Sequence, residues 1–166
     1  MDQWGCNTRG WGRKHTLMKK YQALIDALPY GPSFLFVDEI KSLDAESIVA
    51  TYCFKKDWPV FRDHFPGNPV VPGVHLTECA AQIGLALHGL FLLQEQDQEV
   101  SEGQMAFSES QMEFLRPVYP DDILTIRAEL IYFRFNKIKT KVRVFKEEET
   151  LVAKGSLSGI LITQKQ

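Results

Sequence analysis

Residues 64–82 read HFPGNPVVPGVHLTECAAQ, and the way this stretch folds decides how the rest of the chain is arranged. Phe65, Asn68 and Val71 each precede a proline, which pushes all three towards extended backbone. Pro66, Pro69 and Pro72 have no amide hydrogen, so none sits inside a helix or a central strand. Residues 64–72 are therefore expected to be irregular yet stiff, and a stiff loop fixes where the side chain at its entrance points. That side chain is His64, and imidazole is well suited to moving protons near neutral pH. A surface histidine held by a turn would read the same way.

Pro72-Gly73 then opens a helix. First-turn amides such as those of Gly73 and Val74 have no intrahelical partner and lie at the positive end of the helix dipole, where they can hold a developing oxyanion. Plain helix initiation accounts for the same dipeptide. The run VHLTECAAQIGLALHGLFLL (74–93) is apolar around most of its circumference, as befits a helix enclosed by other structure. Glu78 fits poorly there. A carboxylate taken from water needs a partner or a proton, and either makes it a candidate catalytic group. The alternative is a gap in the wrapping that leaves Glu78 partly exposed. Gln82 lies four residues on, on the same face, and is placed to orient Glu78. His75 precedes Glu78 by three residues, but with His64 it offers at most three ligands, so no metal site is expected. His88 falls on another face and reads as a core histidine.

Upstream, Leu17, Tyr21, Leu24, Ile25 and Leu28 form the stripe of an amphipathic helix that Pro29 ends. Residues 1–17 are expected to be a flexible arm and 18–166 a single domain, with Met18 a conceivable true start. Strand patterns occupy 34–40, 47–54, 104–115, 123–133, 136–145 and 150–162. One long buried helix among five or six antiparallel strands makes an α+β domain.

A chain of 166 residues, 45% hydrophobic and 24% charged, suits one core without disulfides. Its net charge of -2 speaks against nucleic acid as a partner. Three cysteines without a CxxC pair favour a reducing cytoplasm. The nearly apolar run 80–93 is too short to span a bilayer, and the N-terminus shows no secretory h-region.

The stretch 64–82 resembles the motif of the beta-hydroxyacyl-acyl carrier protein dehydratases, in the branch with a helix glutamate. His64, Phe65, Pro66, Gly67, Pro69, Pro72, Gly73, Glu78 and Gln82 match that motif place for place. LPYGPSFLFVDEI (28–40) and EFLRPVYPDDIL (113–124) resemble the flanking segments. The resemblance implies a hotdog fold, a sheet wrapped around the helix 73–93, and a homodimer whose sheets join edge to edge, often as a trimer of dimers. It further implies active sites shared between subunits, with the histidine from one chain and the glutamate from the other. The reaction implied is loss of water from a 3-hydroxyacyl thioester on acyl carrier protein, in fatty-acid or related polyketide or polyene synthesis. His64 would take the C2 proton, and Glu78, protonated through burial, would protonate the departing hydroxyl. The amides at Gly73 and Val74 would hold the enolate oxygen, and Gln82 would orient Glu78. No metal or redox cofactor is needed.

The chain departs from the family at Tyr30-Gly31, where a basic pair is usual, and at Phe107, Ser108, Glu109 and Ser110, where an apolar, glycine-bearing run is usual. His75 and Thr77 replace aliphatic residues. These departures point to an unusual acyl chain. Lys137, Lys139, Lys141 and Arg143 alternate with Ile138, Thr140, Val142 and Val144. They make a basic stripe that, with Arg116 and Arg134, could meet an acidic carrier protein or simply be a solvated face. Two other readings stand beside dehydration: a hotdog thioesterase using Glu78 to activate water, and a catalytically silent acyl-binding module.

Overall fold

The computed structural model describes residues 21–96, 104–147 and 149–162. The expected arm at 1–17, Leu17 and Cys6 lie outside them. Residues 21–26 are the described part of helix α1. Tyr21, Leu24, Ile25 and Leu28 are all buried, as their spacing requires.

Six strands follow: β1 (Glu39–Leu43), β2 (Ser47–Cys53), β3 (Gln104–Phe114), β4 (Ile123–Arg134), β5 (Lys137–Lys146) and β6 (Thr150–Ile162). They form one sheet in the order β1-β2-β4-β5-β6-β3, with every pairing antiparallel. The strand expected at 34–40 starts later, at Glu39, and has a specific competitor. Phe36 N donates to Gln82 Oε1 (2.8 Å), while Gln82 Nε2 donates to Phe34 O (2.8 Å). A helix side chain thus takes the backbone bonds that a neighbouring strand would have taken. A short 3-10 turn, Pro59–Arg62, precedes the proline-rich loop and buries Phe61.

The central helix α2 runs over Gly73–Glu95, two residues beyond the expected end, with Gln82–Leu87 wound as a π-helix between two α-helical segments. Ile83, Leu85, Leu87, Leu90 and Leu93 are fully buried, each contributing about 1.5–3 kcal/mol relative to exposure. The helix is long and apolar enough to cross a membrane, yet 83% of its most apolar window is buried inside the protein. Its apolarity belongs to the core. The helix and sheet approach closely at Gly84, where an added Cβ would stand 2.9 Å from Ala128 Cβ.

On β5 the residues alternate as the sequence suggested, with Ile138, Thr140, Val142 and Val144 buried. The basic stripe on the outer face is partly neutralised. Lys139 pairs with Glu109 (3.3 Å) and Arg143 with Glu129 (2.9 Å). His88 is fully buried, with Nε2 3.0 Å from Asp44 O. The fold is the α+β arrangement expected: one sheet curled around one long helix.

Candidate active site

The loop at 64–70 is closed on itself. Val70 N donates to His64 O (3.0 Å), Asn68 N to Phe65 O (3.0 Å), and Gly67 takes φ 77°, a conformation suited to glycine. The His64 ring stacks on Phe65 with centroids 4.0 Å apart, and its Nδ1 lies 2.9 Å from Val70 O. A carbonyl oxygen only accepts, so Nδ1 carries the hydrogen and donates. Neutral His64 therefore presents a bare Nε2, the tautomer a base needs.

Beyond the loop, Val71 N donates to Val118 O (2.8 Å), which ties the chain to the segment after β3 just before α2 starts. Pro72 is the N-cap of α2, with ψ 139° and no side-chain cap. The amides of His75 and Leu76 donate to Pro72 O, at 3.0 and 3.2 Å. Those of Gly73 and Val74 are left without an intrahelical acceptor at the positive end of the dipole. Val74 is 73% exposed, so this end is open. An added Cβ at Gly73 would press on the Phe114 ring at 3.1–3.3 Å.

Glu78 is half-buried. Its Oε1 accepts a hydrogen bond from Gln82 Nε2 at 2.9 Å, as the i, i+4 spacing predicted. The Gln82 amide has no freedom to flip, because the Phe36 amide must meet its oxygen and the Phe34 carbonyl its nitrogen. Glu78 Oε1 thus faces a donor, and Oε2 is the carboxyl oxygen that Gln82 leaves unoccupied. Val74, Thr77 and Glu78 face residues 107–110 of β3 across a cleft of about 420 Å³.

His75 lies between the two candidate catalytic groups electrostatically. Burial lowers its pKa below the ordinary range, Glu78 opposes that shift and His64 adds to it. Its ring packs edge-on against Trp58 (4.7 Å) and Phe36 (6.0 Å), within the aromatic cluster behind the helix start. Tyr30, which the sequence reading marked only as a departure, feels the charge of Glu78. Burial first, and the Glu78 charge second, push its phenol up to about 12. Among the described residues, no group of three or more His, Cys, Asp or Glu is arranged to hold a metal ion. No hydrogen bond joins His64 to Glu78 among the described residues; Nδ1 of the one is engaged with Val70 and Oε1 of the other with Gln82.

Comparison with known proteins adds a family. A family model described as ApeI-like, ApeI dehydratase, matches residues 39–156. The 3-hydroxyacyl-[acyl-carrier-protein] dehydratase FabZ of Chlamydia trachomatis is 32% identical over 146 residues, covering 87% of this chain and 93% of that protein. Its Thermus thermophilus counterpart is 34% identical over 128 residues, covering 76% and 86%. Among solved structures, the dehydratase heterocomplex ApeI:P from Xenorhabdus doucetiae superposes with a TM-score of 0.71 at 12% identity, over 84% of this chain and 91% of that one. A hypothetical thioesterase of Streptococcus pneumoniae TIGR4, solved with coenzyme A, gives 0.56 at 17% identity, over 90% and 99%. At such identities the structural likenesses speak for the fold.

Proposed function

The chain belongs to the hotdog-fold family of 3-hydroxyacyl-[acyl-carrier-protein] dehydratases, and from that membership we propose how its own residues remove water from a 3-hydroxyacyl thioester. The chemistry is an elimination. His64 Nε2 takes a proton from C2, and the negative charge that develops on the thioester oxygen is held by the first-turn amides of Gly73 and Val74. The C3 hydroxyl receives the proton of Glu78 Oε2 and leaves as water, giving the trans-2-enoyl thioester. Gln82 holds Glu78 through Oε1 and so leaves Oε2 to carry the proton. Proton transfer by each of the two groups contributes roughly 10²–10⁴-fold. Positioned amides add a further hundredfold or more.

The single observation that carries this assignment is the pairing of a base-competent imidazole, fixed by Val70 O, with a carboxyl whose one oxygen is occupied by Gln82. A thioesterase would need a carboxylate poised on water. The stiff histidine loop has no part in that chemistry, and this favours dehydration.

The carrier is an acyl carrier protein, as the FabZ relatives' names say of them. Lys137 and Lys141 are offered as the cations of the β5 stripe that meet its acidic surface. Residues 18–166 form the functional domain, working in the cytoplasm as a homodimer whose sheets join through the long edge strand β3. In that dimer His64 and Glu78 of one site come from different chains.

The test is mass spectrometry of 3-hydroxyacyl carrier proteins after incubation with the wild type and with His64→Ala. Loss of one water, about 18 Da, in the wild type alone supports the reading. Release of free acid refutes it in favour of thioester hydrolysis. Tight binding without any mass change refutes it in favour of a silent module.

A further inference from the structure

We infer that His75 is a positioning residue for the elimination and serves only while uncharged: its neutral ring braces the supports of both His64 and Glu78, and a proton on that ring releases the brace at acid pH. The inference rests on the dehydration reading, which makes His64 the base and Glu78 the acid.

The His75 ring stands between two aromatic side chains that lead to different catalytic groups. Trp58 meets it edge-on with centroids 4.7 Å apart, and Phe36 at 6.0 Å. Trp58 leads to the base. It is the N-cap of the 3-10 turn Pro59–Arg62, and its carbonyl accepts from Phe61 N at 3.0 Å. The same turn then receives the histidine loop, because His64 N donates to Val60 O at 2.9 Å. Phe36 leads to the acid. Its amide donates to Gln82 Oε1, and Gln82 Nε2 donates to Glu78 Oε1. Phe54 and Phe61 close on Trp58 at 5.0 and 5.4 Å, so the indole has neighbours that hold it against His75.

An apolar side chain would brace this box as well. What imidazole adds is a titration. His75 Nδ1 is enclosed and has no hydrogen-bond partner. The neutral ring meets this with a bare lone pair at Nδ1 and its hydrogen on Nε2. The imidazolium carries a hydrogen on both nitrogens, and a charged donor shut away without an acceptor is costly. A proton therefore drives the ring out of the box instead of merely charging it there.

The charges that bear on the ring fit this account. Burial comes first and lowers its pKa; Glu78, one turn on along α2, opposes, and His64 of the loop adds. Around it, Tyr30 and Tyr52 have phenols pushed up to about 12 and stay neutral. Burial likewise keeps Cys79 a thiol. The Asp38 carboxyl accepts from Cys53 N at 2.9 Å, and Lys55 and Asp57, close to Trp58 in the chain, are exposed.

The experiment follows loss of water from 3-hydroxyoctanoyl carrier protein between pH 5 and 9 in the wild type, His75→Phe and His75→Ala. Rates are compared only where circular dichroism shows all three folded. At pH 8, His75→Ala is expected to lower kcat about tenfold with KM little changed, and His75→Phe to recover most of that rate. On the acid side, log kcat/KM of the wild type should reach a slope of about two, for protons on His64 and His75, and that of His75→Phe about one. One pH unit below the His75 midpoint, and relative to its own rate at pH 8, the phenylalanine variant then leads by about tenfold. Trp58 gives a readout free of turnover: tryptophan emission should shift over the same interval in the wild type and stay flat in His75→Phe. Parallel acid limbs in these two proteins overturn the inference, as does an unchanged kcat at pH 8 in His75→Ala. Wild-type emission as flat as that of His75→Phe overturns it too. If the wild type removes no water at any pH, the dehydration reading itself falls and takes this inference with it.

Discussion

Gln82 Nε2 stands 2.9 Å from Glu78 Oε1 and 2.8 Å from Phe34 O, so one amide group of α2 holds both the candidate acid and the chain preceding β1. Gln82→Leu should therefore act twice. It leaves Phe34 O and Phe36 N without partners, lowering stability by about 1–3 kcal/mol, and it frees Glu78 to rotate, lowering kcat about 10–100-fold. Urea unfolding and steady-state dehydration rates measure the two effects separately. Loss of stability with kcat unchanged would reduce Gln82 to a structural role.

His64→Asn separates base from scaffold. An asparagine amide can still donate to Val70 O but cannot take a proton, so the melting temperature should hold while kcat drops roughly 10²–10⁴-fold. A parallel fall in both would mean that the ring mainly secures the loop.

The shared site of the proposed dimer predicts complementation. His64→Ala and Glu78→Ala are each inactive alone. If they are unfolded together and refolded, half the dimers formed are mixed, and each mixed dimer carries one intact site of two. Activity should return to about a quarter of the wild type by this symmetry argument. Continued inactivity of a refolded mixture would place both groups of a site on one chain.

Two histidines set the acid limit of stability. Burial pushes the pKa of His88 below its ordinary value of 6.5, and His75 shifts in the same direction for the same first reason. The unfolded chain then binds more protons than the folded one once pH falls through about 6.5, so stability is retained above that pH and declines below it. The fully buried His88 should account for most of the slope. Melting temperatures between pH 8 and 5 for the wild type and His88→Gln would show it, the variant's curve being the flatter.

Gly84→Ala sets two effects against each other. Alanine favours helix over glycine by roughly 1 kcal/mol. Its Cβ, however, would lie 2.9 Å from Ala128 Cβ and 3.2 Å from Thr140 Oγ1 and Val142 Cγ1, all in β-sheet neighbours with little room to move. Overpacking of this kind costs about 1–3 kcal/mol, so net destabilisation is expected in denaturant titration.

The geometry of the candidate catalytic stretch was legible because it is local: prolines, a helix start and an i, i+4 pair declare themselves within 19 residues. The central helix and the alternation on β5 were legible for the same reason. Phe34–Val37 was not. Its apolar run looks like a strand, and only the three-dimensional placement of Gln82, 46 residues from Phe36, shows that a side chain supplies the bonds instead. The basic stripe was read correctly as a face, but its ion pairs with Glu109 and Glu129 come from other strands and leave no trace in local spacing. Tyr30 was visible only as an oddity, because its closeness to Glu78 depends on the same long-range packing.

The wall at 107–110 lies on an edge strand, where a bulge already interrupts the register and every one of the four side chains is exposed. Strand pairing is made by the main chain, so a change of side chain here leaves the hydrogen bonds to β6 in place. The side chains at 107–110 can therefore change without altering the histidine loop or the helix glutamate.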